Sequence, residues 1–234
     1  MKIKTLNRLS LQVALIIVLS FINLVAAQNN NLKFEHLSIA NGLSNSTVNC
    51  ILKDSRGLMW FGTNDGLNKY DGYQVTIYKN APENLQSINS YEVMAIMEDI
   101  KHNIWIATKR GGLDLYNRET DQITNIVPHN DGKRIVESLY IFCILEDSEE
   151  KIWFGTLSGL YNLDRQTNLF TEYLSDTTNT QSLSSDRIHC LFEDSNKRLW
   201  IGTSDGLNLF DRETSTFKRY IYNPGTGLPI DIRG

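Results

Sequence analysis

The chain has 234 residues, 41% of them apolar and 21% charged, with three cysteines, four prolines and a formal charge of −4. This composition excludes a disordered, collagen-like or disulfide-dense protein, and the acidic balance excludes a nucleic-acid binder that works through attraction to phosphates. The length suits one moderate domain or two small ones and cannot hold a sensor, a kinase and a regulator together.

Residues 1–27 read as an address. Lys2, Lys4 and Arg8 form a positive start, Leu11 to Val25 is mostly apolar, and Val25-Ala26-Ala27 offers small residues before Gln28. That is the layout of a secretory signal cleaved near Gln28. The apolar run is short for a bilayer, which takes about 20 apolar residues. The expected compartment is the periplasm, with no membrane span after cleavage. Residues 28–33, with Asn29-Asn30-Asn31, are expected to form a flexible mature N-terminus.

A repeat then fills the chain. Trp60, Trp105, Trp153 and Trp200 are 45, 48 and 47 residues apart, each six residues after an Asp: Asp54, Asp99, Asp147 and Asp194. Each Trp is followed by Gly-Thr or Ala-Thr and then by Gly-Leu, and copy two carries one extra residue at Lys109-Arg110-Gly111. Each copy reads as four short strands. The first is apolar throughout (Val48 to Leu52, Val93 to Met97, Ile141 to Leu145, Ile188 to Phe192) and is expected to be buried on both faces. The Asp caps the following turn. The second strand holds the Trp, a glycine hairpin turn leads to the third, and the fourth alternates as an outer strand should. Four antiparallel strands at a period of about 45 define a β-propeller blade. The expected fold is all-β, with blades at about 43–80, 90–128, 138–175 and 185–223 in a partial propeller over 34–234. Each Trp is expected to bury roughly 150–250 Å² between blades.

The segments Asp54 to Asp71 and Asp194 to Asp211 resemble the two-component regulator propeller repeat, and the opening Phe34-Glu35-His36-Leu37 with Asn41-Gly42-Leu43-Ser44 is similar to the start of that family's periplasmic region. The resemblance implies the sensor half of a hybrid two-component histidine kinase and response regulator, which usually detects a carbohydrate fragment. It also implies a larger propeller of about seven blades, a further β-domain, a membrane span and a kinase, none of which this chain has room for.

Strand counting points the same way. Residues 33–39 read as an outer strand, with Phe34 spaced like Phe170 and Phe217, which leaves five outer strands for four inner sets. Gly227-Leu228 repeats the placing of Gly42-Leu43, so a new inner strand is expected to begin where the sequence ends. The expectation is an open arc of a larger propeller, with a closed four-bladed ring as the alternative.

The chemistry-bearing residues mostly read as structural. Cys50, Cys143 and Cys190 share one position, where copy two has Ala95, so a small buried side chain is expected and a disulfide is not. His36, His102, His129 and His189 share no ligand spacing. One Asp per turn, followed by Ser55, Ile100, Ser148 or Ser195, does not supply a calcium loop. Glu146-Asp147 and Glu193-Asp194 are neighbours at strand ends, not a glycosidase pair. No catalytic motif, metal site or cofactor is expected. Ligand contacts are expected in the second-to-third-strand turns that vary between copies. The candidates are Asn64, Asp65, Lys109, Arg110, Ser204 and Asp205, then Leu157 and Ser158, with His129, Asn130 and Asp131 weaker. The reading is a non-catalytic, ligand-sensing propeller segment. Its expected partners are a glycan and either further blades or domains of a receptor or a second copy. The alternatives are an interaction scaffold without a small ligand and a propeller lyase or glycosidase.

Overall fold

The computed structural model of the chain describes residues 34–84, 86–126, 129–130, 133–134, 140–165, 167, 169–222 and 229–232. The proposed signal segment lies outside these. The chain divides into two units, Met1–His36 and Leu37–Gly234. In the first, residues 34–36 are irregular and Phe34 is 82% exposed.

The second unit holds four antiparallel four-stranded sheets in chain order. Blade one is β1 (Val48–Lys53), β2 (Met59–Thr63), β3 (Gly66–Tyr70) and β4 (Val75–Tyr78). Blade two is β5 (Val93–Glu98), β6 (Ile104–Thr108), β7 (Gly112–Asn117) and β8 (Gln122–Ile126). A short hairpin, β9 (His129–Asn130) and β10 (Lys133–Arg134), joins the outer edge of blade three, which is β11 (Ile141–Glu146), β12 (Ile152–Thr156), β13 (Leu160–Asp164) and β14 (Leu169–Tyr173). Blade four is β15 (Ile188–Glu193), β16 (Leu199–Thr203), β17 (Gly206–Asp211) and β18 (Thr216–Tyr222), with β19 (Pro229–Ile232) antiparallel to β18.

Two expectations at the ends of the repeat array are corrected. Residues 34–38 form no strand, and Ile39–Asn41 make a single 3-10 turn. A strand exists only through ladder bonds, and here local bonds win: the Asn41 carboxamide oxygen accepts from the Ser38 backbone N–H and hydroxyl at 3.1 and 2.8 Å. Gly42, at φ 107°, stops the turn. Phe34 is therefore no counterpart of Phe170 and Phe217, each only 4% exposed. At the other end Pro229–Ile232 starts no new blade; it folds back on β18 with Tyr222 opposite Pro229 and Arg219 opposite Ile232.

Neighbouring blades pack through their first strands, β1 on β5, β5 on β11 and β11 on β15. Between blades one and two lie Trp60, Leu67, Val93, Ile104, Ile106 and Tyr116; Trp105, Leu113, Ile141 and Phe154 fill the next interface, and Trp153, Leu160, Ile188, Ile201 and Phe210 the third. In each, the Trp and Leu of one blade meet the back of the next. The first strands depart from expectation in an instructive way. Every residue of β5 and β11 is buried or half-buried, whereas β1 and β15 expose Asn49, Ile51 and Lys53 and His189, Cys190 and Phe192. The middle blades have neighbours on both sides and the end blades on one. Ile51 and Phe192 are 60% and 62% exposed, so the array is open rather than a closed four-bladed ring.

A close fit explains the cysteines. Each pairs across the ladder with a glycine: Cys50 with Gly62, Cys143 with Gly155 and Cys190 with Gly202. A Cβ on those glycines would lie 2.4, 2.7 and 2.5 Å from the paired sulfur. Copy two pairs Ala95 with Ala107 instead, so one methyl added on β6 is matched by a smaller partner on β5. Burial pushes the Cys50 and Cys143 thiols up to about 12, which leaves both unreactive at neutral pH.

Candidate functional site

The two ends of the blades are built differently. At the end carrying the first-to-second-strand turns, the repeated Asp does two jobs. One carboxylate oxygen accepts backbone N–H groups of its own turn, from Arg56 and Leu58 for Asp54 and from Glu149 and Lys151 for Asp147. The other accepts the Trp indole N–H, at 2.8 Å for Trp60 and Trp105, 2.7 Å for Trp153 and 2.9 Å for Trp200. The expected turn cap is present, and it also orients the Trp.

A clasp missed by sequence reasoning locks this end from blade to blade. The Arg after each third strand reaches back to the preceding blade's Asp: Arg118 to Asp54 at 3.2 Å, Arg165 to Asp99 at 3.2 Å and Arg212 to Asp147 at 2.7 Å. The same guanidinium meets a Glu in its own blade, Arg118 with Glu98 and Arg212 with Glu193 at 2.6 and 2.7 Å, and Arg165 with Glu146. That Glu accepts from the residue after the preceding Asp, namely Ser55, Ile100 and Ser148. Arg118 and Arg165 meet their Asp partners by proximity rather than through an aligned hydrogen bond, since the Nη1 of each makes none. Burial works against the Asp99 and Asp147 carboxylates. Bonds to Asp99 from Trp105 and Asn103, and to Asp147 from Arg212 and Trp153, nevertheless hold both below the ordinary carboxylate range. The signal was in the sequence: Glu precedes Asp and Arg follows the third strand in copies two to four, while copy one has Lys53 and Gly72.

The opposite end carries the variable turns. Each repeated Thr closes its turn by donating to a glycine carbonyl, Thr63 to Gly66, Thr108 to Gly112, Thr156 to Gly159 and Thr203 to Gly206. Beside these turns every first strand is bulged, with one extra residue: Asn49, Met94, Phe142 and His189. A bulge re-aims a side chain and is over-represented next to binding sites. Two bulged residues hold predicted site residues directly. Asn49 donates to the Asn64 side-chain oxygen at 2.8 Å, and His189 Nε2 lies 3.0 Å from the Ser204 hydroxyl. Asp65 pairs with Lys79 at 2.6 Å, and Lys109 with Glu92 at 2.6 Å. Arg110 donates to the Tyr140 hydroxyl and lies over its ring. Asp205 is exposed, and its N–H donates to Thr203. The six predicted residues therefore stand on equivalent turns of blades one, two and four, and Arg110 reaches across to Tyr140 at the start of blade three. Of the weaker candidates, Leu157 and Ser158 form the same turn in blade three, His129 and Asn130 lie in β9, and Asp131 is outside the described residues.

Entry loops are tied down by a third-strand residue that sequence reasoning overlooked. Asn68 and Asn208 accept the backbone N–H of Ser44 and Ser184. Copy two has Asp114 there, fully buried, accepting from the Asn89 N–H at 3.0 Å and the Asn125 amide at 2.7 Å. Burial pushes its carboxyl up to about 7. A carboxyl whose folded pKa lies above its unfolded value weakens the fold progressively as pH rises between the two. Asp114→Asn is therefore expected to stabilise the chain by about 1–3 kcal/mol above pH 7 and to have little effect below pH 4, measured by urea unfolding at both.

Four-stranded antiparallel blades, packed through their first strands and joined by one recurring interface, make this a β-propeller, open on both sides. The family model described as two component regulator propeller matches residues 42–65, 136–158 and 182–205, which fall in copies one, three and four. The unmatched copy is the one with Ala107 and the extra residue. Among curated proteins, a stretch of 75 residues is 44% identical to histidine kinase P4 of Formosa agariphila, covering 32% of this chain and 6% of that one. Among solved structures, the chain is similar to an extracellular domain assigned to a hybrid two-component system of Bacteroides thetaiotaomicron. That likeness has a TM-score of 0.58 and 28% identity over 81% of this chain and 32% of that one. A second such domain from the same organism superposes with a TM-score of 0.65 at 20% identity, over 81% and 27% of the two chains, and shows the shared fold. The chain thus spans a small part of the curated relative and about a third of the solved domains. No helix among the described residues is long and apolar enough to cross a membrane.

Proposed function

We propose that this chain is a non-catalytic, ligand-sensing part of a two-component receptor, working in the periplasm and responding to a carbohydrate fragment. The observation that carries this reading is the contrast between the two ends of the blades. One end repeats the same Asp, Trp, Arg and Glu clasp and has a structural task. The other places four chemically different bulged residues, Asn49, Met94, Phe142 and His189, beside turns that differ in every copy. Amide, imidazole and hydroxyl groups with an aromatic ring are the types that grip sugar hydroxyls and stack on pyranose faces. The alternative of a scaffold without a small ligand draws on the open blade faces. The lyase or glycosidase alternative would need convergent acids or histidines at the end that carries the variable turns.

The test is calorimetric titration of the chain with a panel of acidic and neutral oligosaccharides. At least one is expected to bind, and Asn49→Ala and His189→Ala are each expected to weaken it at least tenfold. Mass spectrometry of the recovered sugar is expected to show it intact. Absence of binding across the panel would favour the scaffold, and cleaved sugar would favour an enzyme.

A further inference from the structure

The variable turn of copy two departs from the other three. Where those run from the repeated Thr through two residues to Gly66, Gly159 or Gly206, this one runs Thr108-Lys109-Arg110-Gly111-Gly112, and Arg110 sits at φ 67°. The left-handed region is unfavourable for a residue with a side chain, and such strain collects where a position has a task. The other non-glycine residues with positive φ among the described ones follow the repeat: His102, Glu150 and Lys197 share one turn position, and Asp121 and Ser215 share another. Arg110 has no such counterpart. The inserted residue is also packed tightly. A Cβ on Gly111 would lie 2.5 Å from the Thr108 hydroxyl and 2.9 Å from the Asn89 backbone. Ser90 donates to the Lys109 carbonyl at 2.6 Å, and the Lys109 backbone bridges to Tyr140 at the start of blade three.

This setting fixes how the Arg110 guanidinium is presented. Its Nε donates to the Tyr140 hydroxyl, and its central carbon lies 5.1 Å from the centroid of the Tyr140 ring. The side chain is exposed, and its two terminal nitrogens meet no carboxylate among the described residues. The clasp arginines differ in this respect, since Arg118, Arg165 and Arg212 each meet two. Lys79 and Lys109 at the same end are answered by Asp65 and Glu92, and Asp205 stands on the turn of blade four. A guanidinium held by one nitrogen and one face, with its outer fork free, matches the paired oxygens of a carboxylate or a sulfate ester. We propose, resting on the sensing reading above, that the sugar received at this end carries an acidic group. Arg110 binds that group and selects acidic over neutral saccharides, and Tyr140 positions Arg110.

Calorimetric titration of the full chain at physiological salt tests this. The probes are uronate oligosaccharides and sulfated galactan oligosaccharides, each paired with its carboxyl-reduced or desulfated form. An acidic probe is expected to bind roughly tenfold or more tighter than its neutral pair, the scale of a charged hydrogen-bonded contact. Arg110→Gln is expected to bring the two within about threefold by weakening only the acidic one. Arg110→Lys, a point charge without the fork, is expected to restore part of the difference, and Tyr140→Leu to lose part of it with Arg110 still present. Binding of the uronates alone assigns the group as a carboxylate, and binding of the sulfated probes alone as a sulfate ester; either supports the proposal. Equal binding of acidic and neutral forms, or a preference that survives Arg110→Gln, overturns the role of Arg110 and leaves the sensing reading standing. Absence of binding by every probe removes the sensing reading and the proposal together.

Discussion

Trp153→Ala is expected to destabilise the chain by about 3–5 kcal/mol, the range for emptying a large buried aromatic site. Trp153 is 1% exposed, stacks on Tyr173 with ring centroids 5.7 Å apart and meets the edge of Phe210 at 5.0 Å. The two rings belong to different blades, so the cavity would open inside the blade-three to blade-four interface rather than within one sheet. The surrounding strands are held by ladder bonds and cannot close over it. For a chain of this length the loss corresponds to a fall in Tm of roughly 10 °C. Trp200→Ala is the internal control. The residue makes the same bond to its Asp, yet it lies on the open front of blade four and is only half-buried. Its loss is expected to cost about half as much or less. Equal losses at Trp153 and Trp200 in a denaturant titration would contradict the assignment of the Trp residues to the blade interfaces.

Arg118→Met is expected to cost about 3 kcal/mol through a different mechanism. Arg118 is 7% exposed and lies between Asp54, whose side chain is fully buried, and Glu98, 13% exposed. Removing the guanidinium leaves two buried carboxylates without a shared counter-charge, and losing one partner of a buried pair costs about 3–5 kcal/mol. Methionine keeps most of the packed length, so the loss reports on charge more than on volume. The pH dependence supplies a second readout. Burial acts against ionised Glu98, but bonds from Ser55 and His102 and the Arg118 charge hold its carboxyl below the usual value. A depressed carboxyl contributes stability that is present above its unfolded pKa and lost as pH falls through the folded one. The wild type is therefore expected to lose stability below about pH 4, and Arg118→Met to lose less over the same interval. Urea unfolding at pH 7 and pH 3 checks both, and a variant with the same acid loss as wild type would show that Arg118 does not act on Glu98.

The repeat was legible because its parts are local. An Asp that caps its own turn, a Trp six residues later and a glycine hairpin are fixed by chain geometry within about 20 residues, so Asp54 to Asp71 could be read as a blade without knowing what surrounds it. The same holds for the cysteines, where the switch from Cys-and-Gly to Ala-and-Ala in copy two states a size constraint across one ladder. The candidate site was legible only as turn positions. Asn64 and Ser204 could be named because they vary, but their partners Asn49 and His189 are brought to them by a bulge that no local residue announces.

The clasp was missed for a related reason. Arg118, Arg165 and Arg212 look like ordinary turn residues until blades are stacked, because the carboxylates that need them lie 64 to 66 residues earlier in the chain. Residues 34–38 erred in the other direction. Spacing alone made Phe34 an outer-strand residue, but a strand takes its existence from an edge to pair with, and the Ser38 and Asn41 side chains offered the backbone a nearer partner.

By itself, then, the sequence determined the number of blades, their strand order and the residues that hold each turn, since these depend on contacts within one repeat. The tertiary structure decided which carboxylates share a guanidinium, which side chains the bulges present, and that the front of blade four and the back of blade one remain open. Those depend on the fit of one blade against another, and burial of charge and apolar surface is a property of that fit rather than of any single repeat.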